Sequence, residues 1–293
     1  MEMLHYDFMQ RAFCAGGIIA LLASALGVYL LLRRQALMAD MLSHVSLAGV
    51  AGGAYFHWNP TLAGFAVAVL GAVAVEYVRR SYKTFSEISV AIIMVGGLSV
   101  SMIVMSLNKG INKSLSSYLF GSVVAVNGTE LRLMIVAAAI GGLFLYLLRR
   151  PLYQMSFDEE TARTNGLPVG WISLGFSVVT GMIVAAAMPI VGVLLVSALI
   201  VLPGSLAIRI APSFTAAIFI AMIIGITGVF TGITASYSFS TPPGATISFV
   251  LLLILLGGLG LKKAWRAWGK RSSADRQVVP AAGSLQRVSL SED

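Results

Sequence analysis

Charged residues are scarce in this chain, and their scarcity excludes a water-soluble protein. Only 11% of the 293 residues are charged, 58% are hydrophobic, and the mean hydropathy is +0.89, whereas soluble domains carry about 25% charged residues. Between Trp171 and Leu261 the only charged residue is Arg209, and this stretch can hold about four membrane-spanning helices of ~20 residues. The apolar runs are long and lack the alternation of barrel strands. We therefore expect an all-α polytopic membrane protein.

Cysteine and nucleotide-binding motifs are also lacking. The single cysteine, Cys14, supports neither a disulfide framework nor a thiolate metal cluster. The sequence contains no GxxxxGK[ST] phosphate loop and no His-Glu-x-x-His pair, so neither ATP hydrolysis nor a zinc protease is expected in this chain, and no catalytic residues or resident cofactor are predicted. The net charge of +8 does not indicate a nucleic-acid partner, because the basic residues flank apolar runs as topology signals do.

The apolar runs predict about nine transmembrane helices. They lie at about 12–32, 42–57, 61–78, 88–107, 131–148, 171–188, 190–208, 214–235 and 245–261. With the N-terminus outside and the C-terminus inside, 16 of the 20 Lys and Arg residues fall on the inner side. The positive-inside rule therefore favours this orientation.

Three segments need an interpretation of their own. Residues 115–126 are apolar but short, which favours a re-entrant or interfacial element over a full span. Met188-Pro189 divides a long apolar stretch, and proline interrupts helices, so we expect a tight outer turn there. Residues 263–293 form a polar, basic cytoplasmic tail that is predicted to be disordered, which leaves 1–262 as the transmembrane domain.

The most informative motif is RRQALMADMLSHVSLAG at 33–49. Asp40 and His44 are spaced i, i+4 and therefore share a helix face, with Ser43 beside them. Carboxylate and imidazole together suit zinc or manganese, and ionisable groups inside membrane segments are usually functional. The alternative is that Asp40 caps its helix and His44 packs in the bundle against a carbonyl group.

The longest polar loop, 149–171, predicts a short cytoplasmic helix at about 157–169. Acidic residues precede Arg163 as the helix dipole prefers, and Asn165-Gly166 can end the helix. Such a helix could dock a soluble partner, although an ordinary solvated loop is an alternative. The candidate contact residues are Phe157, Asp158, Glu159, Glu160, Ala162, Arg163, Asn165 and Gly166.

Several motifs in order resemble the permeases of bacterial metal-ion ABC importers, which take up zinc, manganese or iron. The resemblance covers about residues 8–262. It rests on Leu32-Arg33-Arg34, Leu37-Met38, Asp40, Leu42, His44 and Gly49, then on residues 118–122, 157–166, 191–199 and 242–246. One departure is Ala39, where many relatives have glycine.

The resemblance implies a type II importer in the bacterial cytoplasmic membrane. Two permease copies would pair with two cytoplasmic ATP-binding subunits, and an extracellular metal-binding lipoprotein or other solute-binding protein would deliver the ion. Asp40 and His44 would line the path and bind the transported Zn²⁺, or else Mn²⁺, and residues 157–169 would form the helix that couples the permease to the ATPase.

Other function classes stay open at this point. An ABC permease for a siderophore or cobalamin would share the architecture but would not need the Asp40/His44 pair. A proton-driven secondary metal transporter would work without an ATPase, but it would usually carry more ionisable groups within its spans. A scaffold protein would use the acidic loop only as a binding patch.

Overall fold

The fold is a bundle of α-helices. The computed structural model describes residues 7–81, 86–107, 117–122 and 127–277, and side chains are described up to residue 264 except at 80, 81 and 86. The helices in these ranges are α1 (Asp7–Leu32), α2 (Leu37–Tyr55), α3 (Pro60–Ser81), α4 (Ser86–Leu107), α5 (Gly128–Leu147), α6 (Arg149–Phe157), α7 (Glu159–Thr164), α8 (Val169–Val191), α9 (Val196–Ile210), α10 (Phe214–Phe239) and α11 (Pro243–Gln277).

Each of the nine predicted apolar runs coincides with a helix. Seven helices in the described part are long and apolar enough to cross a membrane: α1, α3, α4, α5, α8, α10 and the first 22 residues of α11. The other two are α2 and α9. With 15 residues, α9 is only about 22 Å long at 1.5 Å per residue, shorter than the ~30 Å hydrocarbon core. The all-helical membrane fold is confirmed, whereas the count of nine spans and the N-out orientation stay predictions.

Helices α1 and α8 form the centre of the bundle, because most of their residues are buried within the chain. Helix α2 packs on α3 and α4 at one side. At the other side α9 and α10 pack on α1, and α11 packs on α9 and α10. The glycine pairs Gly49/Gly53 and Gly228/Gly232 lie at the α2–α3 and α10–α11 crossings, where a Cβ atom would come within 2.6 Å of the facing helix. Small residues thus permit close helix packing in lipid.

The predicted turn at Met188-Pro189 is wrong. Helix α8 continues through Pro189 to Val191 and ends at Gly192, whose φ of +84° only glycine adopts readily. Pro189 removes one backbone hydrogen bond, the one to the carbonyl of Ala185, but α8 ends two residues later, so no further turn of the helix has to form beyond it. The chain then bends through residues 192–195 before α9 begins at Val196.

The predicted disorder of the tail is also wrong for its first part. Helix α11 runs on to Gln277, 15 residues beyond residue 262. The stretch after Leu261 is rich in Lys, Ala and Arg, which are good helix formers, so a helix that has already begun can propagate through it. Residues 278–293 lie outside the described residues.

Candidate metal site and the two ends of the bundle

Asp40 and His44 lie one turn apart on α2, half-buried, and neither side chain makes a hydrogen bond or ion pair with the described part of the chain. Helix α2 has Ala36 at its N-cap without a side-chain cap bond, so Asp40 does not cap it. Nδ1 of His44 is buried without a partner, so His44 is not tied to a carbonyl group either. Since buried polar atoms normally have partners, this pair is available to a ligand.

Ser43 does not belong to the same face. Its side chain is fully buried, and its hydroxyl donates a hydrogen bond to the backbone carbonyl of Asp40 at 2.7 Å. The sequence spacing placed Ser43 beside the pair, but the packing of α2 turns it into the bundle. Ser43 therefore supports the helix and is not positioned as a third ligand.

The Asp40/His44 face of α2 is the face that the described part of the chain leaves uncovered. Met41 and Leu42, between the pair, and Val45, directly after His44, are buried against the neighbouring helices. Half-buried or exposed positions instead recur at helical spacing along one stripe, which consists of Leu37, Asp40, His44, Ala48, Gly52 and Tyr55. A Cβ atom added at Gly52 would meet no atom within 4 Å. The ionisable pair thus lies on an open stripe that follows the length of α2.

The described part of one chain supplies only two candidate ligands for a metal ion. Among the described residues, no group of three or more His, Cys, Asp and Glu side chains could hold a metal ion. Zinc usually takes four ligands. The pair can therefore hold an ion weakly by itself, or tightly together with ligands from outside the chain.

At the end of the bundle where α1 and α3 finish, charged groups are buried together. Glu76 is 3% exposed and forms an ion pair with Arg79 at 3.1 Å, and Ser177 donates a hydrogen bond to Oε2 of Glu76, also at 3.1 Å. Ser173 accepts hydrogen bonds from Arg79 at 2.6 Å and from Arg33 at 2.9 Å. We call these five side chains the arginine cluster. Glu76 and Arg79 are three positions apart on α3, whereas no sequence signal linked them to Arg33 or to the serines of α8.

A cavity of about 910 Å³ opens beside the arginine cluster. Its wall contains Arg33, Glu76 and Arg79 together with Glu159, Glu160 and Arg163 of α7. The short loop helix and the buried charges of the bundle therefore share one space.

Local sequence explains why α7 forms where it does. Asp158 is its N-cap and accepts hydrogen bonds from the backbone N–H groups of Glu160 and Thr161, both at 3.0 Å. The hydrogen bonds from Thr161 and Glu160 hold the pKa of Asp158 below its usual value. At the other end Gly166 has φ +80° and donates to the carbonyl of Arg163, as expected for a left-handed helix stop. The helix covers 159–164, shorter than the predicted 157–169.

The candidate coupling residues divide into exposed and anchored groups. Phe157, the last residue of α6, is 62% exposed, and Glu159 and Arg163 form a loose ion pair at 3.7 Å on the surface. Ala162 is 1% exposed and packs α7 onto the bundle, while Asn165 is its C-cap. The helix thus keeps its charged side chains exposed, at the edge of the cavity, while Ala162 packs against the bundle.

At the opposite end of the bundle, three separate motifs meet. Val193 N–H donates to the carbonyl of Tyr118 at 2.9 Å, and Ser122 N–H donates to that of Pro189, also at 2.9 Å. A Cβ atom on Gly244 would lie 1.8 Å from the carbonyl oxygen of Val191. Residues 118–122, the bend after α8 and the start of α11 therefore form one tightly packed unit. The predicted re-entrant element extends over 115–116 and 123–126 as well, which lie outside the described residues.

The same end holds a buried carboxyl group that sequence reasoning missed. Glu130 is 4% exposed and accepts hydrogen bonds from Thr61 at 3.1 Å and from the backbone N–H of Asn127 at 3.0 Å. Thr61 also bonds the Tyr118 hydroxyl at 3.0 Å. The signal was present as a capping box, Asn127 with Glu130 three positions later. This network links α3, α5 and the 118–122 segment.

Comparison with known proteins gives consistent matches over most of the chain. Residues 5–262 match the model of the ABC 3 transport family. A "probable metal transport system membrane protein" of Treponema pallidum (strain Nichols) is 33% identical over 266 residues, 90% of this chain and 99% of that protein. A second relative, 27% identical over 85% of each chain, is the manganese transport system membrane protein MntC of Halalkalibacterium halodurans. A third, 24% identical over 83% of this chain and 93% of its own, is the high-affinity zinc uptake system membrane protein ZnuB of Haemophilus influenzae.

A solved structure shares the fold. PsaBC from Streptococcus pneumoniae in complex with Fab superposes with a TM-score of 0.78 at 25% identity, covering 88% of this chain and 92% of that chain. The family match, the relatives and the structural match each span most of the chain. The chain therefore belongs to the ABC 3 transport family and is a multi-pass membrane permease of a metal-transport ABC system.

Proposed function

We propose that this chain is the permease subunit of an ATP-driven importer that moves divalent metal ions into the cell, with zinc favoured over manganese. The observation that carries the proposal is the unpartnered Asp40/His44 pair on the open stripe of α2, in a permease whose relatives are named for metal transport. Carboxylate and imidazole ligands accept either ion, so the ligand chemistry alone does not exclude manganese.

The site is completed by a second permease copy. Two copies with their α2 stripes facing each other would supply two Asp and two His ligands, the number that zinc prefers. The uncovered stripe supports this arrangement, because a half-buried ionisable face exposed to lipid would be costly. In each cycle the ion passes from an extracellular metal-binding protein to the paired Asp40/His44 groups and is then released to the cytoplasm.

The free energy of ATP hydrolysis is passed to the permease through α7. Two cytoplasmic ATP-binding subunits each hold the α7 of one permease copy, and ATP binding and hydrolysis move α7 relative to the bundle. The anchored Ala162 and the outward Glu159 and Arg163 support this docking role. The chain itself carries transport and no catalysis.

Metal-specific uptake tests the proposal. The permease, its ATP-binding subunit and its binding protein are expressed in cells lacking their own zinc and manganese importers, and uptake of each radioactive ion is measured. We expect zinc uptake that is reduced by excess cold zinc more than by excess cold manganese. If excess manganese competed more strongly than excess zinc, the metal-transport role would stand and manganese would replace zinc as the favoured ion. Uptake of neither ion would reject the proposal.

The docking role of α7 has its own test. Replacing Glu159, Glu160 and Arg163 together by Ala should reduce the ATP-binding subunit that copurifies by roughly tenfold, equivalent to about 1.4 kcal/mol of contact energy. The replaced residues lie on the surface, so the fold should be retained. Arg150→Ala, an exposed charge change in the first turn of α6, nine residues before α7, is the matched control and should retain the subunit. Full retention by the triple variant would reject the docking role.

A further inference from the structure

The arginine cluster carries more positive than negative charge. It contains the guanidinium groups of Arg33 and Arg79 but only one carboxylate, Glu76, which is already paired with Arg79 at 3.1 Å. Arg33 is left with a neutral hydrogen bond to Ser173 and a contact with the Phe176 ring, 4.9 Å from its centroid. Its Nη1 atom is buried and has no hydrogen-bond partner among the described residues. A buried charged donor without a partner is costly, and the state shown is therefore not the best one available to Arg33.

The electrostatic surroundings of Arg33 also favour a further carboxylate partner for its guanidinium group. Burial lowers its pKa to about 10, the neighbouring Arg79 lowers it too, and Glu159 and Glu76 oppose the shift. Arg33 is still charged at neutral pH. Glu76 is engaged by Arg79, and of the two α7 carboxylates that line the cavity, Glu159 is the one whose charge acts on Arg33.

Glu159 faces the same cavity and is only loosely held. It lines the 910 Å³ space together with Arg33, and its ion pair with Arg163 is long, at 3.7 Å, and solvent-exposed. Solvent-exposed ion pairs of this kind contribute little to the stability of the folded protein. A small movement of α7 toward the bundle would therefore let Glu159 exchange Arg163 for Arg33 at little cost.

Arg33 is also connected directly to the helix that bears Asp40 and His44. Arg33 directly follows the last residue of α1, and the next residue, Arg34, has a left-handed φ of +55° that ends the helix. The backbone N–H of Arg34 donates to the carbonyl of Leu31 at 3.1 Å, and the N–H of Gln35 donates to that of Leu30 at 2.8 Å. Helix α2 begins at Leu37, so the connection is short and tightly hydrogen-bonded. A displacement of Arg33 would be passed on to the start of α2 because no slack chain lies between them.

We propose that Arg33 is the positioning residue that couples α7 to the metal-binding helix α2. In the state shown, Ser173 and Phe176 hold its guanidinium group. When the ATP-binding subunit drives α7 toward the bundle, the guanidinium group exchanges Ser173 for Glu159, and the start of α2 moves with it. This inference rests on the proposed role of α7 as the ATPase contact.

The test uses the complete complex in proteoliposomes, with ion uptake and ATP hydrolysis measured in the same vesicles. Arg33→Gln keeps hydrogen-bond donors but removes the charge. We expect the ATP-binding subunit to remain bound and hydrolysis to continue, while the number of ions moved per ATP falls at least roughly tenfold, the effect of about 1.4 kcal/mol of lost coupling. Arg34→Gln, the exposed neighbour in the same turn, is the matched control and should keep the wild-type ratio.

A double-variant comparison identifies the partner. If Arg33 and Glu159 act as a pair, Glu159→Gln lowers the same ratio, and Arg33→Gln with Glu159→Gln together lower it no further than either alone. A general loss of folding would instead lower subunit binding and hydrolysis along with uptake. A wild-type ratio for Arg33→Gln, equal losses for Arg33→Gln and Arg34→Gln, or multiplicative losses in the double variant would each overturn the pairing.

A readout independent of the ion separates this inference from the proposed function. A fluorophore is placed at Leu37→Cys, on the exposed start of α2, with Cys14 replaced by Ser. We expect ATP to change its emission in the wild-type background and not in Arg33→Gln. If the wild-type complex moves neither zinc nor manganese but the fluorescence result holds, the ion assignment fails and the coupling stands. An unchanged ATP response in Arg33→Gln overturns the coupling.

Discussion

Asp40→Ala and His44→Ala should each lower metal uptake by at least roughly 100-fold while the complex still assembles. Even residues that only support a metal ligand cost about 10–100-fold when lost, and a direct ligand should cost at least as much. Each substitution removes one of the two ligands that a chain contributes, and in a two-copy site it removes two of four. Assembly should be unaffected because neither side chain makes a hydrogen bond or ion pair within the described part of the chain.

Uptake and copurification of the ATP-binding subunit are measured on the same preparations. Ser43→Ala is the matched control, since the buried Ser43 hydroxyl is committed to the Asp40 carbonyl, and its uptake should stay close to the wild-type level. Normal uptake by Asp40→Ala would reduce the pair to surface residues of α2 and would move the pathway elsewhere.

Gly244→Ala should destabilise the permease strongly, although it adds only one methyl group. The added Cβ would lie 1.8 Å from the carbonyl oxygen of Val191 and 2.8 Å from that of Phe120, both backbone atoms that no side-chain rotation can move away. The clash falls where α11, the bend after α8 and the 118–122 segment meet. Overpacking lowers the free energy of unfolding by about 1–3 kcal/mol, and for Gly244→Ala we expect a loss at the upper end of this range.

The measurement is the midpoint of thermal unfolding in detergent, followed by size-exclusion chromatography. At roughly 2–4 °C per kcal/mol for a chain above 150 residues, the midpoint should fall by roughly 6–12 °C. Gly257→Ala on the same helix meets no atom within 4 Å and should unfold at or slightly above the wild-type temperature. Equal midpoints for the two variants would contradict the close packing at Gly244.

Local features were predictable from sequence because their causes are local. Apolar runs became helices since a segment in lipid must satisfy its own backbone hydrogen bonds. Likewise, Asp158 and Gly166 bound α7 through contacts within a few residues, and glycines four apart on α2 lie at a helix crossing. The spacing of Asp40 and His44 placed both on one helix face for the same reason.

Features that depend on distant segments were missed or misplaced. The break after α8 occurs at Gly192 and not at Pro189, and a Cβ at Gly192 would lie 2.5 Å from the nitrogen of Gly121, a residue far away in the sequence. Proline alone suggested the wrong residue because its effect depends on where in the helix it lies. The capping box of Asn127 and Glu130 can be read from the local sequence, but nothing near Glu130 indicates that Thr61 of α3 donates a hydrogen bond to its carboxylate.

The sequence by itself determined that this protein is an all-helical membrane permease, that Asp40 and His44 share a helix face and that a short capped helix lies in the 149–171 loop. Composition, periodicity and capping act over a few residues and can be read along the chain. Only the tertiary structure decided that Ser43 is buried while the pair stays open, that Arg33 lies over α8 within the arginine cluster, and that residues near 120, 192 and 244 pack together. Those outcomes depend on which helices are neighbours, which is determined by packing across the whole bundle.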